Sequence, residues 1–229
     1  MDKYIIATIK SWNIENYKHL EKKYPDSEFR LISNKDDLSE DFLEQYDPKY
    51  IFFPHWSWII PKSIFERYNC VVFHMTDLPF GRGGSPLQNL IVRGIYDTKI
   101  SAIKVSSGVD TGPVYFKEPF NIAEGNANDI LSRASDIIFE KMIPRFLTED
   151  LKPTEQTGDV VTFKRRTPEE SEIPEGLTQR EIYDYIRMLD GEGYPMAYKR
   201  IGDRKVFFSD ARFEDGVVMA RVRFAEDEE

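Results

Sequence analysis

Two stretches of the chain hold side chains whose types and spacing could do chemistry. Residues 70–86 read "CVVFHMTDLPFGRGGSP", an apolar run ending in His74 and followed by a loop with Pro79, Arg82 and three glycines. Residues 106–114 read "SSGVDTGPV", a Gly-x-Asp-x-Gly turn between two apolar runs. An imidazole with a carboxylate beside it is equipped for general acid–base work, so Asp110 would orient His74 and balance its charge. Taken singly, each feature also has a plain structural reading. His74 is a satisfied strand-end histidine, and Asp110 is part of a hairpin. The glycine loop fails both standard phosphate patterns: no Lys-Ser/Thr follows Gly84, and Pro86 stands where a dinucleotide fingerprint needs glycine. Its local chemistry is a turn into a helix with Ser85 as N-cap and Pro86 at the first helical position. That leaves Arg82 amid three glycines without an explanation. His55, in "FFPHW", is a second histidine at the end of an apolar run, whereas His19 is expected on a solvated helix face.

The elements that must position these groups follow from the apolar pattern. "YIIATI" (4–9), "EFRLIS" (28–33), "YIFFPHW" (50–56) and "CVVFHM" (70–75) read as buried strands, with helices at 14–24, 36–46 and near Pro61 between them. Continuous apolar strands alternating with helices indicate a parallel sheet covered on both faces. The fold class is therefore α/β, a doubly wound, mostly parallel sheet. Runs at 99–106 and 113–122 extend it as an antiparallel pair, and 127–147 reads as one long helix. Ligands of such sheets bind beyond the carboxyl ends of the strands, which is where His74 and His55 fall. Residues 148–177, rich in Pro, Thr and Glu, read mostly as linker. A helix with a capping box (Thr178, Glu181) and strands punctuated by Gly202-Asp203 and Asp215-Gly216 then form a small β-rich appendage.

Composition narrows the classes. The 229 residues suffice for one core and a small appendage. A net charge of −9 argues against a broad nucleic-acid footprint, which needs clustered Lys and Arg. The single cysteine, Cys70, excludes an internal disulfide and reads as a buried hydrophobe. Three scattered histidines offer no metal-ligand spacing. With no membrane-length apolar run and no signal-peptide pattern, a cytoplasmic location without membrane partners is expected.

The two chemical stretches together resemble the formyltetrahydrofolate-dependent formyltransferases. That family carries Asn-x-His-x-Ser-Leu-Leu-Pro, then a glycine-containing loop and helix, then an Asp-x-Gly turn. Here Pro79 lies five residues after His74, and "VDTGP" supplies the turn. "FGRGGSP" fits the Arg-Gly-x-x-Pro pattern of the methionyl-tRNA and sugar-amine branch. "HWSWIIPKSIF" is similar to the segment whose backbone lines the family's pterin pocket, and "REIYDYIRMLDGEGYP" to the start of its C-terminal β domain. The resemblance implies a Rossmann-like catalytic domain over 1–165, and a linker with a small C-terminal β-rich subdomain over 166–229. It also implies N10-formyltetrahydrofolate as co-substrate, no metal, and catalysis by His74 and Asp110. Trp58, Ile59, Ile60, Gly108, Val109 and Asp110 would surround the cofactor. Thr76, Gly81 and Arg82 would face the amine acceptor, joined by Trp12 for stacking and Asn13 for hydrogen bonding. Trp12 and Asn13 equally fit a plain helix start with Asn13 as N-cap.

One position departs from the family. Where an asparagine amide should help hold the formyl oxygen, two residues before the histidine, this chain has Val72. Losing one oxyanion donor typically costs about 10²–10³ in rate. His55 is the preferred substitute, with Asn89 the weaker one, although His55 fits equally well as packing for Trp56 and Trp58. The expected reaction is formyl transfer to a nucleotide-linked 4-amino-4,6-dideoxy sugar, carried by dTDP or UDP. A methionyl-tRNA acceptor, hydrolysis of the formyl donor, and a silent folate- or nucleotide-binding module are the alternatives. Nucleic acid is not the expected partner, and a homodimer is compatible with the pattern.

Overall fold

The computed structural model describes residues 1–225; the acidic positions 226–229, part of the "AEDEE" end, lie outside the described residues. In chain order the elements are β1 (Asp2–Ala7), α1 (Ser11–Lys23), β2 (Ser27–Ile32), α2 (Glu40–Tyr46), β3 (Tyr50–Phe53), α3 (Lys62–Phe65), β4 (Cys70–His74), β5 (Phe80–Gly83) and α4 (Pro86–Ile91). They continue with β6 (Asp97–Lys104), β7 (Val114–Asn121), α5 (Ala127–Ile137), α6 (Ile143–Thr148), β8 (Val161–Phe163), α7 (Gln179–Arg187), β9 (Ala197–Ile201), β10 (Arg204–Glu214) and β11 (Val217–Ala225). The chain divides into two compact units. Among the described residues, one holds 1–82, 99–120 and 132–162; the other holds 83–98, 121–131 and 163–225.

The first unit is built on a six-stranded sheet ordered β2-β1-β3-β4-β6-β7. β1 pairs in parallel with β2 and β3, β3 in parallel with β4, and β6 runs antiparallel to β4. Ile5, Ile6, Ile51, Phe52 and Val71 are wholly buried, as continuous apolar strands under two helical layers require. Burying each such side chain contributes about 1.5–3 kcal/mol. Cys70 lies in this core, where burial pushes its thiol up to about 12. It is the small inert hydrophobe the sequence indicated. No described helix is long and apolar enough to cross a membrane.

Three sequence expectations need correction. α1 begins at Ser11, so Asn13 is buried inside the helix and is not its N-cap. The helix expected over 127–147 is broken: α5 passes into a π turn at 138–142 before α6. Pro144 sits in the first turn of α6 and has no amide to donate backward, which breaks the regular ladder there. The apolar spacing runs through the break, which hides it. The 148–177 stretch is also more than linker. It supplies β8, and Thr154 exchanges backbone hydrogen bonds with Val114 at 2.8 Å in each direction.

In the second unit, Thr178 caps α7 as expected, its hydroxyl taking the Glu181 amide while the Glu181 carboxylate takes the Thr178 amide at 2.7 Å. β9, β10 and β11 form an antiparallel sheet in the order β11-β10-β9, with turns at 202–203 and 215–216. Val206 and Ala197 are buried on one face. Lys205, Phe207 and Ser209 share the opposite face with their cross-strand partners Arg200, Tyr198, Arg223 and Arg221.

Candidate active site

β4 ends at His74, whose partners come from the loop and the turn that the sequence singled out. One ring nitrogen, Nε2, lies 2.7 Å from the carbonyl oxygen of Gly81. The other, Nδ1, lies 3.4 Å from Asp110 Oδ2. Both nitrogens face acceptors, so a neutral ring can donate to one of them and a protonated ring to both. His74 is only 8% exposed, which fixes the ring between these two groups.

Each partner is held by an uncommon backbone. Gly81 adopts φ 78°, a conformation glycine takes at no steric cost, and this loop conformation places its carbonyl beside the imidazole. Asp110 adopts φ 53°, uncommon for a residue with a Cβ and a form of local strain that clusters at functional sites. Two residues on, a Cβ at Gly112 would stand 1.7 Å from the Lys104 carbonyl, so the turn can close on the end of β6 only with glycine there.

Asp110 also lines a cavity of about 390 Å³ whose walls are Trp56, Trp58, Ile60, Phe65, Val72, Ile103 and Val105, together with residues 106–109. Ile59, 94% exposed, and Val109, likewise exposed, stand at the border of the cavity. The expected cofactor set Trp58, Ile59, Ile60, Gly108, Val109 and Asp110 is thus brought to one cavity. Val72 presents an aliphatic side chain there, flanked in the sheet by Phe53 and Ile103.

The proposed substitutes for the missing amide lie elsewhere. The His55 ring faces the first turn of α1: its Nδ1 is 3.2 Å from Asn13 Nδ2, and it meets Trp12 edge-on at 6.2 Å. It is not among the residues lining the Val72 cavity. Burial, helped by the Lys10 ammonium, pulls its imidazole down to about 4, so it is neutral. The Asn13 amide also donates to Thr8 Oγ1 at 2.8 Å and to the Pro54 carbonyl at 3.1 Å. Trp12, Asn13 and His55 therefore form one cluster, in which Trp12 Nε1, Asn13 Oδ1 and His55 Nε2 are buried without a hydrogen-bond partner. Asn89 belongs to the second unit, where its amide donates to the carbonyls of Gly84, Ser85 and Lys164 and its Oδ1 accepts from Arg93.

The acceptor-side residues are placed as follows. Thr76 is fully buried and its hydroxyl donates to the same Gly81 carbonyl that His74 meets. Arg82 directs Nε and Nη2 onto Gln156 Oε1, at 3.0 and 2.8 Å. Ser85 does not cap α4 through its side chain; its Oγ receives the Arg166 amide because Ser85 itself is in the left-handed region. Glycines 83 and 84 are explained by packing: a Cβ on either would come within 2.3 Å of the Phe163 carbonyl or 2.6 Å of the Arg165 side chain. Sequence reasoning missed Gln156, whose Nε2 donates to the carbonyls of Asp110 and Gly112 at 2.8 and 2.7 Å. Among the described residues no group of three or more His, Cys, Asp or Glu is placed to hold a metal ion.

The chain is similar to proteins of known family. Residues 168–225 match the family model "Methionyl-tRNA formyltransferase, C-terminal domain". The solved methionyl-tRNA formyltransferase from Clostridium thermocellum is 52% identical, with a TM-score of 0.96 over 99% of this chain and 100% of that one. The methionyl-tRNA formyltransferase of Rickettsia felis is 26% identical over 184 residues, 78% of this chain and 60% of its own. The chain thus spans about three-fifths of that curated relative's length. A 4-N formyltransferase from Francisella tularensis shares the fold, with a TM-score of 0.68 at 16% identity over 99% of this chain and 97% of its own.

Proposed function

The chain belongs to the formyltransferase family, and on that premise we propose that it moves a formyl group from N10-formyltetrahydrofolate to a primary amine. The observation that carries the reading is Asp110, which lines the apolar cavity and at the same time faces His74. Aromatic and aliphatic walls bordered by the polar residues Ser57, Ser106, Ser107 and Asp110 suit a pterin, whose faces are apolar and whose edge hydrogen-bonds. When bound, the folate supplies the activated formyl carbon. His74 would then exchange its Nε2 contact with the Gly81 carbonyl for the formyl oxygen and stabilise the negative charge that develops there, while Asp110 keeps the imidazole oriented through Nδ1 and assists proton removal from the amine. Val72 leaves the formyl oxygen one donor short, so His74 carries that stabilisation with less help than an asparagine-bearing site gives. Residues 1–165 form the catalytic domain on this reading, and 166–229 the C-terminal extension.

For the acceptor we favour methionyl-tRNA over an amino-sugar nucleotide. The net charge of −9 pointed away from nucleic acid, but that charge is unevenly spread. Residues 197–225 carry seven Lys or Arg against four Asp or Glu, with the four acidic residues 226–229 following them in the sequence. Four of the basic residues share one sheet face with Tyr198 and Phe207, and Arg223 stacks 4.9 Å above the Phe207 ring. Interleaved cations and aromatics are what a nucleic-acid backbone and its unstacked bases bind. The 52% identical relative supports the same acceptor.

A coupled assay decides. Release of tetrahydrofolate is followed with methionyl-tRNA, with a dTDP-4-amino-4,6-dideoxyhexose, and with neither. Release that requires methionyl-tRNA is expected. Release that requires the sugar nucleotide would restore the small-molecule acceptor, and release without any acceptor would make the protein a hydrolase.

A further inference from the structure

The segment between α6 and β8 carries no motif, yet one of its side chains is hydrogen-bonded to both halves of the centre. Gln156 Oε1 receives two N–H bonds from Arg82, and Gln156 Nε2 gives two to the carbonyls of Asp110 and Gly112. We propose that Gln156 is a positioning residue for formyl transfer: it ties the Asp110 turn to the Arg82 loop so that the Asp110 carboxylate stays within reach of His74. The proposal rests on the formyl-transfer reading of the site.

Three features carry it. The first is chemical: the contact needs an acceptor on one side and two donors on the other, which a carboxamide provides and which Glu, Lys and Leu do not. The second is strain. Asp110 holds a left-handed backbone that is costly for a residue with a Cβ, and such conformations persist when surrounding contacts over-determine them. Two short hydrogen bonds to the carbonyls of residues 110 and 112 do this at the strained turn itself. The third is anchorage. Thr154, two residues earlier, is locked by reciprocal backbone bonds to Val114, so the Gln156 side chain projects from a fixed point of the main chain. Both ligands of the His74 ring are thereby linked through one amide. Gly81, which accepts from Nε2, immediately precedes Arg82, and Asp110, which faces Nδ1, lies under Gln156.

Gln156 does not itself line the cavity and meets its wall only at the Asp110 and Gly112 carbonyls, away from the Trp56–Ile60 side, so its effect should appear in turnover more than in folate binding. The test compares the wild-type chain with Gln156→Glu and Gln156→Leu. Glu keeps an acceptor for Arg82 but faces the two turn carbonyls with oxygen; Leu loses both sides. Misplacing a reacting group by about 1 Å costs roughly 100-fold, so both variants are expected to lose at least tenfold in kcat. The KM for N10-formyltetrahydrofolate should change by less than about threefold, because the Trp56–Ile60 wall is untouched. The imidazole ¹⁵N signals of His74, read without turnover, should move in both variants while those of His19 stay. Should Gln156→Leu fail to fold, Gln156→Glu decides. Wild-type kcat in Gln156→Glu, or unmoved His74 signals, would overturn the proposal. If the wild-type chain itself transfers no formyl group, the formyl-transfer reading fails, and the His74 signals alone judge whether Gln156 positions the ring.

Discussion

His74 and His55 stand at the ends of neighbouring parallel strands, and by position alone they are equivalent. Their surroundings are opposite. His74 has an acceptor at each nitrogen, one of them a carboxylate. His55 takes a hydrogen from Asn13 at one nitrogen, has no partner at the other, and is held neutral by burial. The first environment suits a ring that gains and loses charge during a reaction. The second suits a fixed polar strut between the first turn of α1 and the segment that walls the cavity. A strand-end histidine is therefore assigned by what faces its two nitrogens.

Substitutions can break or sharpen this contrast. The largest effect is expected at the first histidine: His74→Ala should lower kcat about 10³–10⁴-fold, the upper range for a positioned acid–base group, whereas His55→Ala should cost less than about tenfold. Equal losses in steady-state assays would erase the distinction. Next comes Val72→Asn, which restores the amide that the family pattern calls for. It should raise kcat by about 10²-fold, the lower end of what one oxyanion donor contributes. An unchanged rate would mean that another group already fills that role.

The third test uses pH and concerns stability. His55 has a folded value near 4 against an ordinary 6.5, so the unfolded chain binds the proton more tightly. The stability this ring contributes is complete above pH 6.5 and is lost as pH falls toward 4. The 2.5-unit gap corresponds to at most about 3 kcal/mol, and less in practice, because the residue is only half-buried although its Nε2 is shut from water. Urea unfolding of wild type and His55→Phe at pH 7 and pH 4.5 should show a shallower loss in the variant. Parallel curves would place the neutral ring somewhere other than His55.

Much of this was legible in the sequence, for identifiable reasons. Continuous apolar runs identified the parallel strands, because strands buried on both faces must be apolar throughout. His74 and Asp110 were legible because a strand-end histidine and a Gly-x-Asp-x-Gly turn are both local patterns. Gln156 was invisible: its partners lie 44 to 74 residues away, and its neighbours have the composition of a linker. Asn13 read as a cap because its buried partners, Pro54 and His55, come from another strand end. The basic sheet face was hidden because its cations meet only through strand pairing, and the acidic residues 226–229 cancel them in any count of charge along the chain.

The central claim is that His74 and Asp110 transfer a formyl group to an amine. It is tested most directly by supplying N10-[¹³C]formyltetrahydrofolate and methionyl-tRNA, then following the label by mass spectrometry in the wild-type chain and in His74→Ala. The account predicts label on the methionyl amine with wild type and almost none with His74→Ala. Label recovered only as formate, or equal amine labelling by both chains, would contradict it.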